Sequence, residues 1–148
     1  MAVNASIPAV LKELRTKLQA RPGLSDVLVR TGMLPDQRGK DSLEIHSVDA
    51  RHEFKALGNR RIDEDYTIIG SIWAHRRGVD QEDAIEAARD GAFTVFDELL
   101  ECLRDDPRIG GNVTQSLAYQ YQFGQFYDSE KRIARIDFEV TVKNHITK

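Results

Sequence analysis

Strict alternation of side-chain type in two long consecutive segments constrains the fold of this 148-residue chain most strongly. Apolar or aromatic residues alternate with small and polar ones over 113–123, and apolar residues alternate with polar ones again over 134–143. A period of two is typical of a strand with one buried face. Each arm runs about 14 residues, on the order of 45 Å when extended, which exceeds the roughly 30 to 40 Å expected for the domain. The sequence therefore predicts a long projecting hairpin with its tip at 126–131, which needs a partner to cover it.

A long amphipathic helix is predicted before the hairpin. Asp80 is the expected cap, Asp106-Pro107 ends the helix and Gly110-Gly111 turns the chain back. Cys102, the only cysteine, lies near the apolar stripe among acidic neighbours, which disfavour a thiolate, so it is interpreted as structural. The stripe has helical spacing and consists of Ala84, Ile85, Ala88, Ala92, Val95, Phe96, Leu99, Leu100 and Leu103.

The rest of the chain predicts a smaller set of elements. A shorter helix begins at a Ser6 cap and ends at 21–23. Short strands follow at 26–31 and 43–48, and 66–75 is apolar on both faces, as in a central strand. The segments 32–41 and 51–65 are interpreted as irregular loops. The fold class is therefore α+β, with one domain over 1–148: a mostly antiparallel β-sheet with a long projecting hairpin, packed by one long and one shorter α-helix.

Charge is distributed unevenly along the chain. The net charge is −3, but the segment 80–106 alone carries −8, so the remainder is near +5. An acidic face and a basic edge on one chain favour head-to-side association of copies, although acids also line a helix for solubility alone. The aromatic residues at the hairpin tip are the best candidates for a partner contact. The candidate interface residues are Arg60, Arg61, Arg76, Arg77, Phe126 and Tyr127.

None of the motifs that could bind a metal, bind nucleic acid or catalyse a reaction predicts a functional site. The four histidines lie singly in separate segments, without the spacing of a zinc site. Asp63-Glu64-Asp65 lacks the glycine-containing loop of a calcium site and is interpreted as a solvated strand entrance. The ladder Tyr119-Gln120-Tyr121-Gln122-Phe123 is interpreted as core packing rather than a base-stacking platform. We therefore expect no enzyme activity, no catalytic residue, no metal and no cofactor.

Several segments, taken in order, resemble a known family. They are Ile7-Pro8-Ala9-Val10-Leu11, Thr67-Ile68-Ile69-Gly70-Ser71-Ile72-Trp73, Gly78-Val79-Asp80, Asp106-Pro107-Arg108-Ile109-Gly110-Gly111-Asn112-Val113 and the closing Phe138-Glu139-Val140-Thr141-Val142. Over nearly its whole length the chain resembles the tail terminator (tail completion) proteins of long-tailed bacteriophages and related tail-like particles. These segments resemble the family in structural features, and none of them is a catalytic motif.

The resemblance implies a structural virion protein with an antiparallel sheet packed by helices, assembled as a hexameric ring. In that family the ring caps the tail tube, ends its polymerisation and offers the head-attachment surface. The implied partners are further copies of the chain, the tail tube protein and a head-completion or neck protein, while genome DNA passes through without specific binding. The implied location is the head-proximal end of the virion tail, with assembly in the host cytoplasm.

Two other interpretations remain open at the level of sequence. One is a small α+β domain that binds an anionic ligand through the pairs Arg60-Arg61 and Arg76-Arg77, provided that the fold brings the pairs together. The other is a neighbouring head–tail joining protein, since such proteins share this size range.

Overall fold

The computed structural model describes residues 6–32, 41–56, 61–77, 81–128 and 131–147. Most of the loop predicted at 32–41, the middle of the segment predicted to be irregular at 51–65, the predicted Asp80 cap and residues 129–130 of the predicted hairpin tip lie outside these residues. Helix α1 spans Ile7–Gln19 and helix α2 spans Gln81–Asp105, with a short 3-10 turn at Pro22–Leu24. The strands are β1 (Leu28–Thr31), β2 (Ser42–Ala56), β3 (Arg61–Arg77), β4 (Gln115–Asp128) and β5 (Lys131–Thr147).

The strands form one five-stranded sheet in the order β1-β2-β3-β5-β4. Only the β1–β2 pair is parallel, and the other three pairs are antiparallel. The α+β class with a mostly antiparallel sheet is confirmed, and β3 occupies the central position that its two apolar faces predict.

Strand β5 is paired on both sides. It pairs with β4 and also with β3 along its whole length, from Lys131 opposite Arg77 to Thr147 opposite Arg61. Three strands therefore reach the end of the β4–β5 hairpin. Because a third strand adds a ladder of hydrogen bonds, the hairpin does not rely on the marginal stability of two strands alone.

The prediction of an irregular segment over 51–65 was wrong. Strands β2 and β3 continue through most of it, with Arg51 opposite Asp65 and Ala56 opposite Arg61. These strand ends pair through their backbones, and backbone pairing leaves no periodic signal in a largely polar sequence.

Both helices pack on the same face of the sheet. The apolar stripe of α2, including Ala88, Val95 and Leu99, lies against the inward residues of β3 and β5, among them Ile72 and Phe138. Helix α1 contributes Val10, Leu14 and Leu18 to the same core. Neither described helix combines the length and the hydropathy that crossing a membrane requires.

A buried carboxylate joins α1 to β3. The backbone N–H of Ser6 donates to Glu64 Oε1 at 3.1 Å, and the Ser6 hydroxyl lies 2.5 Å from the same oxygen. Glu64 is fully buried, so the interpretation of 63–65 as a solvated entrance was wrong for this residue. Ser6 stands at the expected N-cap position, but its side chain bonds Glu64 rather than its own helix. Burial, with the nearby Glu64 carboxylate, raises the pKa of Tyr66 to about 12.

The turn after α2 is held by a second carboxylate. Asp106 accepts a hydrogen bond from Lys17 of α1 and another, at 2.6 Å, from the backbone N–H of Gly110. These two hydrogen bonds, that from Lys17 first, lower the pKa of Asp106. Ile109 adopts a left-handed φ of 46° and is buried. Its place in the core and the Asp106 contacts stabilise a backbone conformation that a branched residue rarely adopts.

A β-bulge in β4 changes the predicted alternation. Ala118 and Gln120 oppose the consecutive residues Val140 and Glu139, so Tyr119 is the extra residue between them. The expectation that Leu117 shares a face with Tyr121 was therefore wrong, because the bulge places the two on opposite faces. Glycine within a strand often marks a bulge or bend, but Gly124 keeps regular register opposite Arg135.

Gly70 is required by close packing at the centre of the sheet. A Cβ there would overlap the Glu44 carbonyl oxygen and the Phe138 ring. We expect Gly70→Ala to lower the free energy of unfolding by about 2 kcal/mol, since a carbonyl of the neighbouring strand cannot move aside. Gly124→Ala is the matched control, because its Cβ would make only ordinary contact with Phe126, and it should change stability by less than about 0.5 kcal/mol. Urea unfolding of both variants measures the difference, and equal values would contradict this packing.

Candidate assembly interface

Exposed apolar surface is concentrated on the edge strand β4. Among the side chains whose exposure the structure describes, every exposed large hydrophobic one lies on this strand: Leu117 (60%), Tyr121 (51%), Phe123 (38%), Phe126 (51%) and Tyr127 (76%). From Gln115 to Tyr127 the sequence contains no charged residue and no proline. Edge strands of soluble proteins ordinarily carry such residues to prevent pairing with other chains. The composition of β4 therefore indicates an edge that a partner covers.

The apolar side chains of β4 occupy both faces of the sheet. Tyr121 and Phe123 face α2, where Phe93 lies 6.2 Å and 5.1 Å from their ring centroids. Leu117 and Phe126 lie on the opposite face by register. A partner on one face would leave the other group exposed, whereas a partner that approaches the edge contacts both.

Four of the six predicted interface residues meet at one end of the sheet. Arg76 and Arg77 end β3 opposite Arg132 and Lys131, and Arg132 in turn lies opposite Tyr127. The Arg132 guanidinium carbon lies 5.6 Å from the centroid of the Tyr127 ring.

An open cleft separates this end of β4 from α2. Its volume is about 560 Å³, and Gln125 spans it by donating to the Ile85 carbonyl oxygen at 3.0 Å. The cleft therefore lies beside the cationic and aromatic end of the sheet. Its lining residues are Ile85, Gln125, Phe126, Tyr127 and Arg132.

The two arginine pairs do not converge. Arg60 lies outside the described residues, and Arg61 is the first residue of β3, whereas Arg76 and Arg77 are its last two. At about 3.3 Å per residue, Arg61 and Arg76 are separated by roughly 50 Å. Arg76 is also engaged within the subunit, since it donates to both carboxylate oxygens of Asp41, at 2.7 Å and 2.9 Å. A single anion site built from both pairs is incompatible with this arrangement.

Part of the acidic surface of α2 serves the fold. Arg21, which follows α1, donates to Glu98 at 2.5 Å, to Glu101 at 3.1 Å and to Asp105 at 3.4 Å. These acids therefore tie the two helices together instead of only solvating α2. The sequence did not indicate this role, because Arg21 is 77 positions or more from its partners.

A polar row crosses the face of the sheet opposite the helices. Asp137 accepts from Arg135 at 2.6 to 3.0 Å and from the Ser71 hydroxyl at 2.6 Å, and Ser71 lies 3.1 Å from His46 Nε2. Arg135 also lies over the Trp73 ring at 5.2 Å. This row links β2, β3 and β5, and sequence reasoning missed it because its members come from three distant segments.

Among the residues that the structure describes, no three His, Cys, Asp or Glu side chains are grouped so as to hold a metal ion. Cys102 is buried, and burial raises the pKa of its thiol. This agrees with the interpretation of Cys102 as a structural residue.

Comparison with known proteins gives a match at the level of fold. No family model and no curated protein sequence matches the chain. Among solved structures it is similar to a chain of the virion of a native gene transfer agent particle, with a TM-score of 0.57 and 10% identity. The match covers 96% of this chain and 100% of the other. The chain therefore shares the fold of a virion component over almost its full length.

The hydrogen bonds that Asp137 accepts from Arg135 and Ser71 predict that stability depends on pH. Desolvation alone would raise the pKa of Asp137, but the hydrogen bonds from Arg135 and Ser71 lower it overall. The unfolded state thus binds more protons near pH 4 and below, so this stabilisation is present at neutral pH and is lost as the pH falls. Because the pair is partly exposed, we expect a contribution of less than about 1 kcal/mol.

Asp137→Asn should therefore lower stability at pH 7 and reduce the loss between pH 5 and pH 3. Asp106, whose pKa is also lowered, should retain its separate share of that loss. Urea unfolding across this pH range measures both, and an unchanged pH dependence in Asp137→Asn would contradict the assignment.

Proposed function

We propose that this chain is a structural virion protein that forms a ring, with six copies, at the head-proximal end of a phage-like tail. The ring caps the tail tube, ends its polymerisation and offers the surface to which the head attaches. Its partners are further copies of itself, the tail tube protein and a head-completion or neck protein. Genome DNA passes through it without specific binding.

The observation that carries the proposal is the uncharged edge of β4. It bears apolar side chains on both faces, as expected of a subunit whose edge is covered in an assembly. The fold shared with a chain of a gene transfer agent virion supports a virion assembly. The resemblance of segments such as Asp106–Val113 to tail terminators supports the position at the end of a tail.

The distribution of charge supports a ring rather than a closed dimer. The end of the sheet that carries Arg77, Lys131 and Arg132 is cationic, and the exposed surface of α2 is acidic, with Glu86 and Asp97 among its residues. Charges of opposite sign on different surfaces of one chain favour a head-to-side arrangement of copies over a two-fold one, and such an arrangement closes into a ring when the rotation between copies allows it.

The anion-binding alternative required the two arginine pairs to come together, but Arg61 and the pair Arg76-Arg77 lie at opposite ends of β3. A neighbouring head–tail joining protein would share the virion role and differ in what it binds. A terminator binds the end of a finished tail tube, whereas a joining protein binds the head without affecting tube growth.

A tail-assembly reaction separates these roles. Purified protein added to growing tail tubes should bind one end of each tube and stop its elongation, as seen by negative-stain microscopy. Tubes whose length distribution does not change would contradict the terminator role.

The interface predicts a specific effect of charge at the end of β4. Phe126→Asp or Tyr127→Asp should weaken self-association about tenfold or more, because a carboxylate at an apolar contact must be desolvated. Stability should change by less than about 0.5 kcal/mol, since both side chains are exposed in the monomer. Thr16→Asp, at an exposed position on α1, is the matched control. Sedimentation velocity measures the association, and variants that assemble like the control would contradict this placement.

A further inference from the structure

The ring proposed above requires two different surfaces of one chain to meet, and the sheet offers two open edges. One is β4, the last strand in the order β1-β2-β3-β5-β4. The other is the distal part of β2: β1 pairs only with Ser42–Ile45, so among the described residues the outer side of 46–56 has no strand beside it. Both edges present backbone groups that a further strand can pair.

The lengths and directions of the two edges agree. Strand β4 has 14 residues, and the unpaired part of β2, 46–56, is about four-fifths as long. Strands β2 and β5 run in the same direction, and β4 runs opposite to both. A copy rotated about an axis roughly parallel to the strands therefore presents β2 antiparallel to β4, with its helices on the same face.

The chemistry of the two edges is complementary. Strand β4 carries no charge from Gln115 to Tyr127, whereas β2 carries the exposed Asp49 and Arg51. The segment 46–56 of β2 contains four charged residues in all, Asp49, Arg51, Glu53 and Lys55. In a β4–β2 pair they are opposed by the uncharged stretch 115–127 of β4, so no like charges meet. Pairing two β2 edges brings eight charged residues to one interface, and pairing two β4 edges leaves both β2 edges open. A β4–β2 contact, repeated between successive subunits, covers both of the open edges described above in every subunit.

We infer that β4 of one subunit pairs antiparallel with the outer edge of β2 of the next, so that the sheet is continuous from subunit to subunit. This inference rests on the proposed ring and names the contact that closes it. The partner that covers the exposed apolar residues of β4 is a second copy of this chain.

Disulfide cross-linking tests the contact directly. Directly opposed residues of neighbouring antiparallel strands lie about 4.5 to 5.5 Å apart between Cα atoms, within the range of a disulfide. In a Cys102→Ala background, one set of single variants carries Gln120→Cys or Gln122→Cys on β4. A second set carries Ser47→Cys, Asp49→Cys or Arg51→Cys on β2. All five positions lie on the face opposite the helices by register.

Pairwise mixtures of the two sets, oxidised and run on non-reducing gels, should yield a disulfide-linked dimer for at least one β4–β2 combination. The same dimer should be absent when either variant is oxidised alone. Asp65→Cys, on the same face of the interior strand β3, is the matched control for β2 and should not cross-link to β4. Sedimentation of each reduced variant establishes whether it is folded and assembled.

The other outcomes overturn the inference in distinguishable ways. Rings in which a β4 variant cross-links only to itself would show a two-fold β4–β4 contact. Rings without any β4 cross-link would show that another surface closes the ring while the proposed function stands. Monomers that form no cross-link in any mixture would overturn both this contact and the ring.

Discussion

The width of a helix determines which part of this sheet is covered. A helix with its side chains is about 10 to 12 Å across, and neighbouring strands lie about 4.8 Å apart, so one helix shields about two strands. Helix α2 packs mainly over β3 and β5, and α1 packs near β1 and the Ser6–Glu64 contact. Strand β4 extends past this cover, so the exposed state of its aromatic residues follows from the geometry of the layers.

The limited width of α2 also determines which apolar side chains of β4 are covered and which are left exposed. Phe93 and Phe96 on α2 contact Tyr121 of β4, but the helix reaches only the inner margin of that strand. Leu117 and Phe126 on the opposite face have no helix above them in the described chain. The core of one subunit lies under the helices, while the outer strand keeps an exposed apolar surface.

Much of the fold was predictable because its signals are local. The stripe from Ala84 to Leu103 follows from helical periodicity, and the alternation of Ile136, Phe138 and Val140 follows from one buried face. The strands over 51–65 and the bulge at Tyr119 were not predictable, since neither depends on apolar alternation. Phe126 and Tyr127 were found as unburied aromatics near the hairpin tip, but the separation of Arg61 from Arg76 required the register of β3.

The solution mass tests most directly whether the protein assembles as a ring of identical subunits. Light scattering over a concentration series, with negative-stain images of the same material, measures both copy number and shape. A ring of six copies has a mass near six times the 16.8 kDa of one chain, in annular particles. A mass that stays at one chain at every concentration would contradict the ring.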